Sequence, residues 1–320
     1  MSDVLDPTTV RLSDSILLSD LLGCYSVYRY GYSNKCPAAS GAHVKEAKKL
    51  CTELLEPLMA KFGPCSFSYG YLSPRLSRAI VKYQDPNKPS YHRWDLGAAV
   101  DAVFHDRKST PPIHTAHEID AMGIEYARMI TYSESPFMCL ATSKRQGDRR
   151  AFYENRYIGK KQPLYIRKPE SAEARKVQHA DIVKRKLARN WRGAGYPTYH
   201  GGGILQYQHL RTSKYTVLSD FLYDRDAVQL GKMNAPNIED LHHFGQAGQI
   251  IDLLVTHLRK RISIVSAFTA KEPYRTRFVM ELVPPASVRR TDIADLALTS
   301  DMVAKVSMAG TNRVRIIGVK

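Results

Sequence analysis

The sequence predicts an α+β fold, and three observations carry that expectation. A long run with apolar residues at three- and four-residue spacing, VKEAKKLCTELLEPLMAKFG, places Val44, Ala47, Leu50, Leu54, Leu58 and Phe62 on one helix face that needs a sheet to cover it. Short β-type runs bounded by turn residues, CSFSYGYLSP and MITYSESPFMCLAT, supply strands for such a sheet. The composition, 43% hydrophobic and 24% charged over 320 residues, is that of a folded globular chain long enough for two domains.

In chain order, the amphipathic helix comes first. Gly63-Pro64 stops it, and Pro57 inside the run is expected to bend or split it. CSFSYGYLSP reads as a strand entering a turn, LSRAIVKY as a short helix and DPNKPS as a loop. EIDAMGIEYAR is expected to be helical, while the prolines beside His114 and His117 suggest a loop or capping role for that His pair. MITYSESPFMCLAT then gives two strands around a turn at Ser135-Pro136. From Gly159 to Arg192 the chain is dense in Lys and Arg, with Val177, Ala180, Val183, Leu187 and Trp191 at helical spacing. A basic amphipathic helix results, with either a solvated or a phosphate-binding outer face.

The domain boundary is expected in this basic segment, giving a first domain over 1–165 and a second α+β domain over 166–320. The second domain is read as an unrelated module or a diverged copy of the first. Shifting the sequence by 151 residues lays HRWDLGAAVD over HFGQAGQIID, with His92 on His243, Gly97 on Gly248 and Asp101 on Asp252.

The net charge of +16 points to an acidic partner without choosing among nucleic acid, an anionic surface and an acidic subunit. Five cysteines at irregular spacing, all at or before Cys139, argue for reduced thiols. No apolar stretch is long enough to span a bilayer, and the N-terminus lacks a secretory pattern. Phosphate-loop, nucleophile-elbow and dinucleotide motifs are missing from the sequence. Tyrosines interleaved with arginines suit stacking on bases or sugars, or burial against neighbouring subunits.

The stretch PSYHRWDLGAAVDAVF carries the most chemistry. His92 and Asp101 flank small residues on a loop entering a strand, where Gly97 and Ala99 let the backbone run close to a metal and Asp101 turns back toward His92. A surface histidine and a turn-stabilising aspartate would give the same pattern. Four pieces between about Leu12 and Thr142, namely ILLSDLLGCYSVYRYGYSNKCP, LLEPLMAKFG, SYGYLSPRLSRAIV and SYHRWDLGAAVDAVF, resemble in order the motifs of the zinc D,D- and L,D-peptidases. That family includes D-Ala-D-Ala carboxypeptidases, phage endolysins and the hedgehog signalling domain.

The resemblance implies a first domain of hedgehog/D,D-peptidase type, with helices packed on an antiparallel sheet. It aligns Ser90, His92, Gly97 and Asp101 with the family's S-x-H-x2-G-x-A-x-D ligand motif. Glu134 falls at the general base and Cys139 at the third zinc ligand. It also exposes departures. Leu72 stands where the family grips a substrate carboxylate with Arg, and four residues separate His92 from Gly97 where the family has two. Those extra residues are expected to displace His92 from Asp101. Cys139 is either a ligand or an ordinary core cysteine.

These departures favour a non-enzymatic assembly component on a degenerate peptidase fold, with no cofactor unless the site still holds zinc. By analogy with the family's phage members, such a component belongs in a bacteriophage virion, in a tail, baseplate or neck, or in host cytoplasm before assembly. Its partners would be other subunits. The alternative is an active zinc peptidase cutting peptidoglycan cross-links, and a third reading is a nucleic-acid-binding protein.

Overall fold

The computed structural model describes residues 6–37, 41–80, 90–107, 110–132, 135–143, 151–156, 164–167, 211–232, 234, 236, 240–267 and 278–318. It is an α+β structure with two mainly antiparallel sheets. The first half supplies α1 (Tyr25–Tyr30), α2 (Ala42–Lys49), α3 (Glu56–Phe62), α4 (Pro74–Ile80) and α5 (Pro112–Ala121). Its strands are β1 (Cys65–Tyr69), β2 (Ala99–Phe104), β3 (Arg128–Tyr132), β4 (Met138–Ala141), β5 (Ala151–Arg156) and β6 (Leu164–Arg167), in sheet order β1-β2-β4-β3-β5-β6. All pairs are antiparallel except β3–β5.

The amphipathic run is helical from Ala42 to Phe62, and it accommodates Pro57 without a break. Leu50–Leu55 is wound as a π-helix, and Pro57 sits in the first turn of α3. Proline lacks an N–H and its ring crowds the carbonyl four residues back, so a wider turn there relieves both problems. The whole predicted stripe, Val44 to Phe62, is buried. The His pair is a correction. His114 and His117 lie within α5, because Pro112 occupies the first helical turn, where a missing N–H costs nothing. The basic 159–192 segment lies outside the described residues apart from Leu164–Arg167.

The second half has α6 (Arg225–Leu230), α7 (Asp240–Leu258), α8 (Arg290–Ala297) and strands β7 (Ser263–Ser266), β8 (Val279–Val283), β9 (Val303–Ala309) and β10 (Arg313–Gly318). Its sheet order, β7-β8-β10-β9, and its pairings repeat those of β1-β2-β4-β3. The shift of 151 residues is therefore the wrong register: Asp101 lies in β2, whereas His243, Gly248 and Asp252 all lie in helix α7. In the opening third of each half the offset is 200 residues. Isolated bridges Arg11↔Leu17 and Arg211↔Val217 open the two halves. Turns Leu18–Leu21 and Leu218–Phe221 follow, and the helices after them end on left-handed Gly31 and Gly231, at φ 62° and 70°.

The halves interlock reciprocally. The Ser66 hydroxyl donates to Asp220 at 2.6 Å, and the Ser263 hydroxyl donates to Asp20 at 2.7 Å. Asn34 N–H donates to Val228 O, and Asn234 N–H donates to Tyr28 O. Such exchange of equivalent contacts is the pattern of a two-fold interface, here within one chain. One buried apolar cluster runs through both halves, from Leu12 to Phe152 and from Tyr215 to Ile316. No helix among the described residues is long and apolar enough to cross a membrane.

Candidate metal centre

Strand pairing sets the site. In the antiparallel β2–β4 ladder Asp101 lies opposite Cys139, and in β3–β4 Ile130 lies opposite Cys139, so the three side chains share one sheet face. His92 comes from outside the sheet, on the short 3₁₀ turn Tyr91–Arg93. Ser90 caps that turn, its hydroxyl accepting from His92 N–H at 3.2 Å. Leu72 N–H donates to His92 O at 2.7 Å and holds the turn against the segment after β1.

The extra residues between His92 and Gly97 do not pull the site apart, contrary to the sequence expectation. Trp94 takes the left-handed conformation, with φ 60°, and folds its ring completely inside, where its indole N–H donates to Ala99 O at 3.3 Å. The longer loop is thus taken up inward. Gly97 then runs so close to β4 that a Cβ would lie 2.1 Å from Thr142 O, and its φ of +139° is also open only to glycine.

The result is a convergent triad. His92 Nε2 lies 3.5 Å from Asp101 Oδ1 and 3.7 Å from Cys139 Sγ, and the three ligand atoms all fall within 4.8 Å of one another. His92 Nδ1 lies 2.8 Å from Gly70 O. A carbonyl can only accept, so Nδ1 carries the proton and the Nε2 lone pair faces Asp101 and Cys139 in the neutral ring. A histidine oriented through its other nitrogen is the usual arrangement of a metal ligand. Asp101 Oδ1 is buried and has no hydrogen-bond partner. Its polar neighbour His92 Nε2 lies at 3.5 Å, so either a protonated His92 or a bound cation can balance the carboxylate there.

The charges fit the same picture. Burial works against a charged His92, but Asp101 and Cys139 outweigh it and hold the imidazole well above its usual range. Burial and the Asp101 charge push the Cys139 thiol up, with His92 opposing them. The cluster therefore retains protons where a divalent cation could replace them.

The remaining predicted residues divide. Ser90 and Gly97 shape the loop that carries His92, and Leu72 is buried, with only 5% of its surface exposed. Glu134, the expected general base, lies outside the described residues. Sequence reading missed Gly70, whose carbonyl orients His92, because a backbone acceptor leaves no mark on residue type. It also missed the residues around the triad. Tyr91, Tyr132 and Tyr153 pack against Ala99, Ile130, Cys139 and Ala141. Arg128 lies over the rings of Tyr91 and Tyr153, 5.0 and 6.0 Å from their centroids.

The second half carries a different solution at the matching place. β1 and β7 each have an irregularity before their last pairing, Tyr69↔Asp101 in one and Ser266↔Glu281 in the other. Glu281 therefore matches Asp101, and Arg315, opposite Glu281 in β10, matches Cys139. Glu281 is bonded by Arg315, through Nε at 2.9 Å, and by Arg313 at 3.2 Å. Two guanidinium groups there take the role a cation would have. No family model matches the chain, and neither does any curated protein or solved structure in the comparisons made.

Proposed function

We propose that the chain holds one zinc ion between His92, Asp101 and Cys139, and that this is a peptidase-type hydrolytic centre. The observation that carries the reading is the convergence, within 4.8 Å, of Asp101 Oδ1, the Nε2 of a His92 oriented through its other nitrogen, and the Cys139 thiol. Imidazole, carboxylate and thiolate are the three donor types zinc favours, and three protein ligands leave one of its four usual positions for a group from outside the chain. Zinc held there would supply Lewis acidity toward a substrate carbonyl. The chain's own contribution is to fix the donors: Gly70 sets the His92 tautomer, Trp94 fills the space behind the ligand loop, and the β2–β4 ladder keeps Asp101 beside Cys139. A thiolate in place of imidazole donates more charge, which favours a slow hydrolase.

The test is the zinc content of the purified full-length protein beside its His92→Ala and Cys139→Ser variants. About one tightly held zinc per chain, lost in the variants, supports the reading and directs assays to cell-wall peptides. Folded wild-type protein that takes up no zinc removes it.

A second reading is favoured by two observations. Leu72 presents no charge to a substrate, and the matching site of the second half is closed by the Glu281–Arg315 pair. Under that reading the protein is an assembly component of a bacteriophage particle. Its net charge of +16 would meet acidic subunits or nucleic acid. Sedimentation of the pure protein across a concentration series tests this reading: self-association supports it, and a protein that stays monomeric at every concentration counts against it.

A further inference from the structure

We propose that Arg128 is an anion-binding residue of the metal centre, taking a carboxylate or phosphate group of the ligand that reaches the metal. The proposal rests on the zinc reading for its purpose but on separate residues for its evidence. Strand register places Arg128 opposite Ala141 in β4 and opposite Ala151 in β5, and Ala141 is in turn opposite Ala99 in β2. The adjoining row of the same face is Asp101, Cys139, Ile130 and Tyr153. Arg128 is thus the one side chain longer than a methyl group in the row beside the metal ligands.

Its guanidinium lies over two tyrosine rings, Tyr91 and Tyr153, and both rings pack against the cluster that contains Cys139. Tyr91 is also the chain neighbour of His92. Stacking restrains the flat group without consuming its N–H donors, whose edges stay in the plane and outside the rings. Arg128 is exposed and makes no ion pair with any carboxylate among the described residues. A restrained, uncommitted guanidinium presents the paired donors that match an oxyanion.

The experiment is calorimetric titration of full-length protein at low ionic strength with sodium acetate and, separately, inorganic phosphate. Wild type, Arg128→Gln and Arg128→Lys are each compared metal-free and zinc-loaded. Loss of a charged hydrogen-bonding partner should weaken anion binding about tenfold or more in the Gln variant. The Lys variant should be weakened less, since it keeps the charge but loses the paired donors. Stronger acetate binding assigns a carboxylate ligand, and stronger phosphate binding assigns a phosphoryl ligand. Equal affinities in all three proteins, or no anion binding by wild type, overturn the proposal. If zinc fails to bind but the metal-free Gln variant still loses anion affinity, the zinc reading falls and the anion site stands. If zinc binds and the variants match wild type, the reverse holds. Should the Gln variant not fold, the Lys variant decides alone.

Discussion

Replacing Arg261 by Met should destabilise the whole molecule, not one half of it. Arg261 is nine-tenths buried, and its guanidinium joins the second half to the first. Its Nε donates to Cys65 O at 3.0 Å, and one terminal nitrogen reaches Asp20 Oδ2 at 2.9 Å, Ser263 Oγ at 3.0 Å and Ser15 O at 3.3 Å. The group also lies 5.0 Å from the Phe67 ring centre. Burial opposes the charge, but Asp20 outweighs it and holds the guanidinium firmly protonated. Met fills much of the volume yet leaves Asp20 buried with only its Ser263 and Leu17 donors. Breaking one partner of a buried pair costs about 3–5 kcal/mol. For a chain of 320 residues that lowers Tm by about 4–8 °C.

The assay is thermal unfolding followed by calorimetry and circular dichroism. A single transition that moves as a whole is expected, because one apolar cluster spans both halves. Adding Asp20→Asn to Arg261→Met should cost less than the sum of the single changes, since the carboxylate left unpaired is then gone. A loss under about 1 kcal/mol, or two transitions of which only one moves, would refute the reasoning.

Other consequences can be checked at modest effort. Burial raises the Glu281 carboxyl, but Arg315 and Arg313 outweigh it and the net position is below 4.5. A depressed carboxylate contributes stability above its unfolded pKa, and that contribution is lost as pH falls through the folded value. Glu281→Gln should therefore flatten the fall of Tm below about pH 4.5, and an unchanged acid limb would show that the ion pair contributes nothing. Gly97→Ala should cost about 2–3 kcal/mol through its backbone conformation alone. Because the new methyl meets Thr142 O, the variant should also lose zinc affinity in competition with a chelator dye; unchanged zinc uptake would mean that the ligand loop does not depend on this approach.

Pattern alone determined the local elements. The stripe from Val44 to Phe62 and the strands around Phe67 and Ser135-Pro136 were legible, because helix and strand periods write themselves into residue type; His92 and Asp101 stood out by residue type and spacing, and Cys139 only through the resemblance to the peptidase motifs. The repeat was visible as a suspicion, but its register was not. Matching HRWDLGAAVD to HFGQAGQIID paired a strand with a helix, while the true equivalents, LLSDLL and VLSDFL, are too short to stand out.

Only the tertiary structure decided whether His92, Asp101 and Cys139 meet. Separation in sequence says nothing about how four intervening residues fold, and Trp94 in a left-handed turn turned an expected disruption into a packed loop. The same limit hid Gly70, Arg128 and the Glu281–Arg315 pair. Their placements arise from a backbone carbonyl, a strand register and a cross-strand partner, all of which exist only once distant segments are side by side.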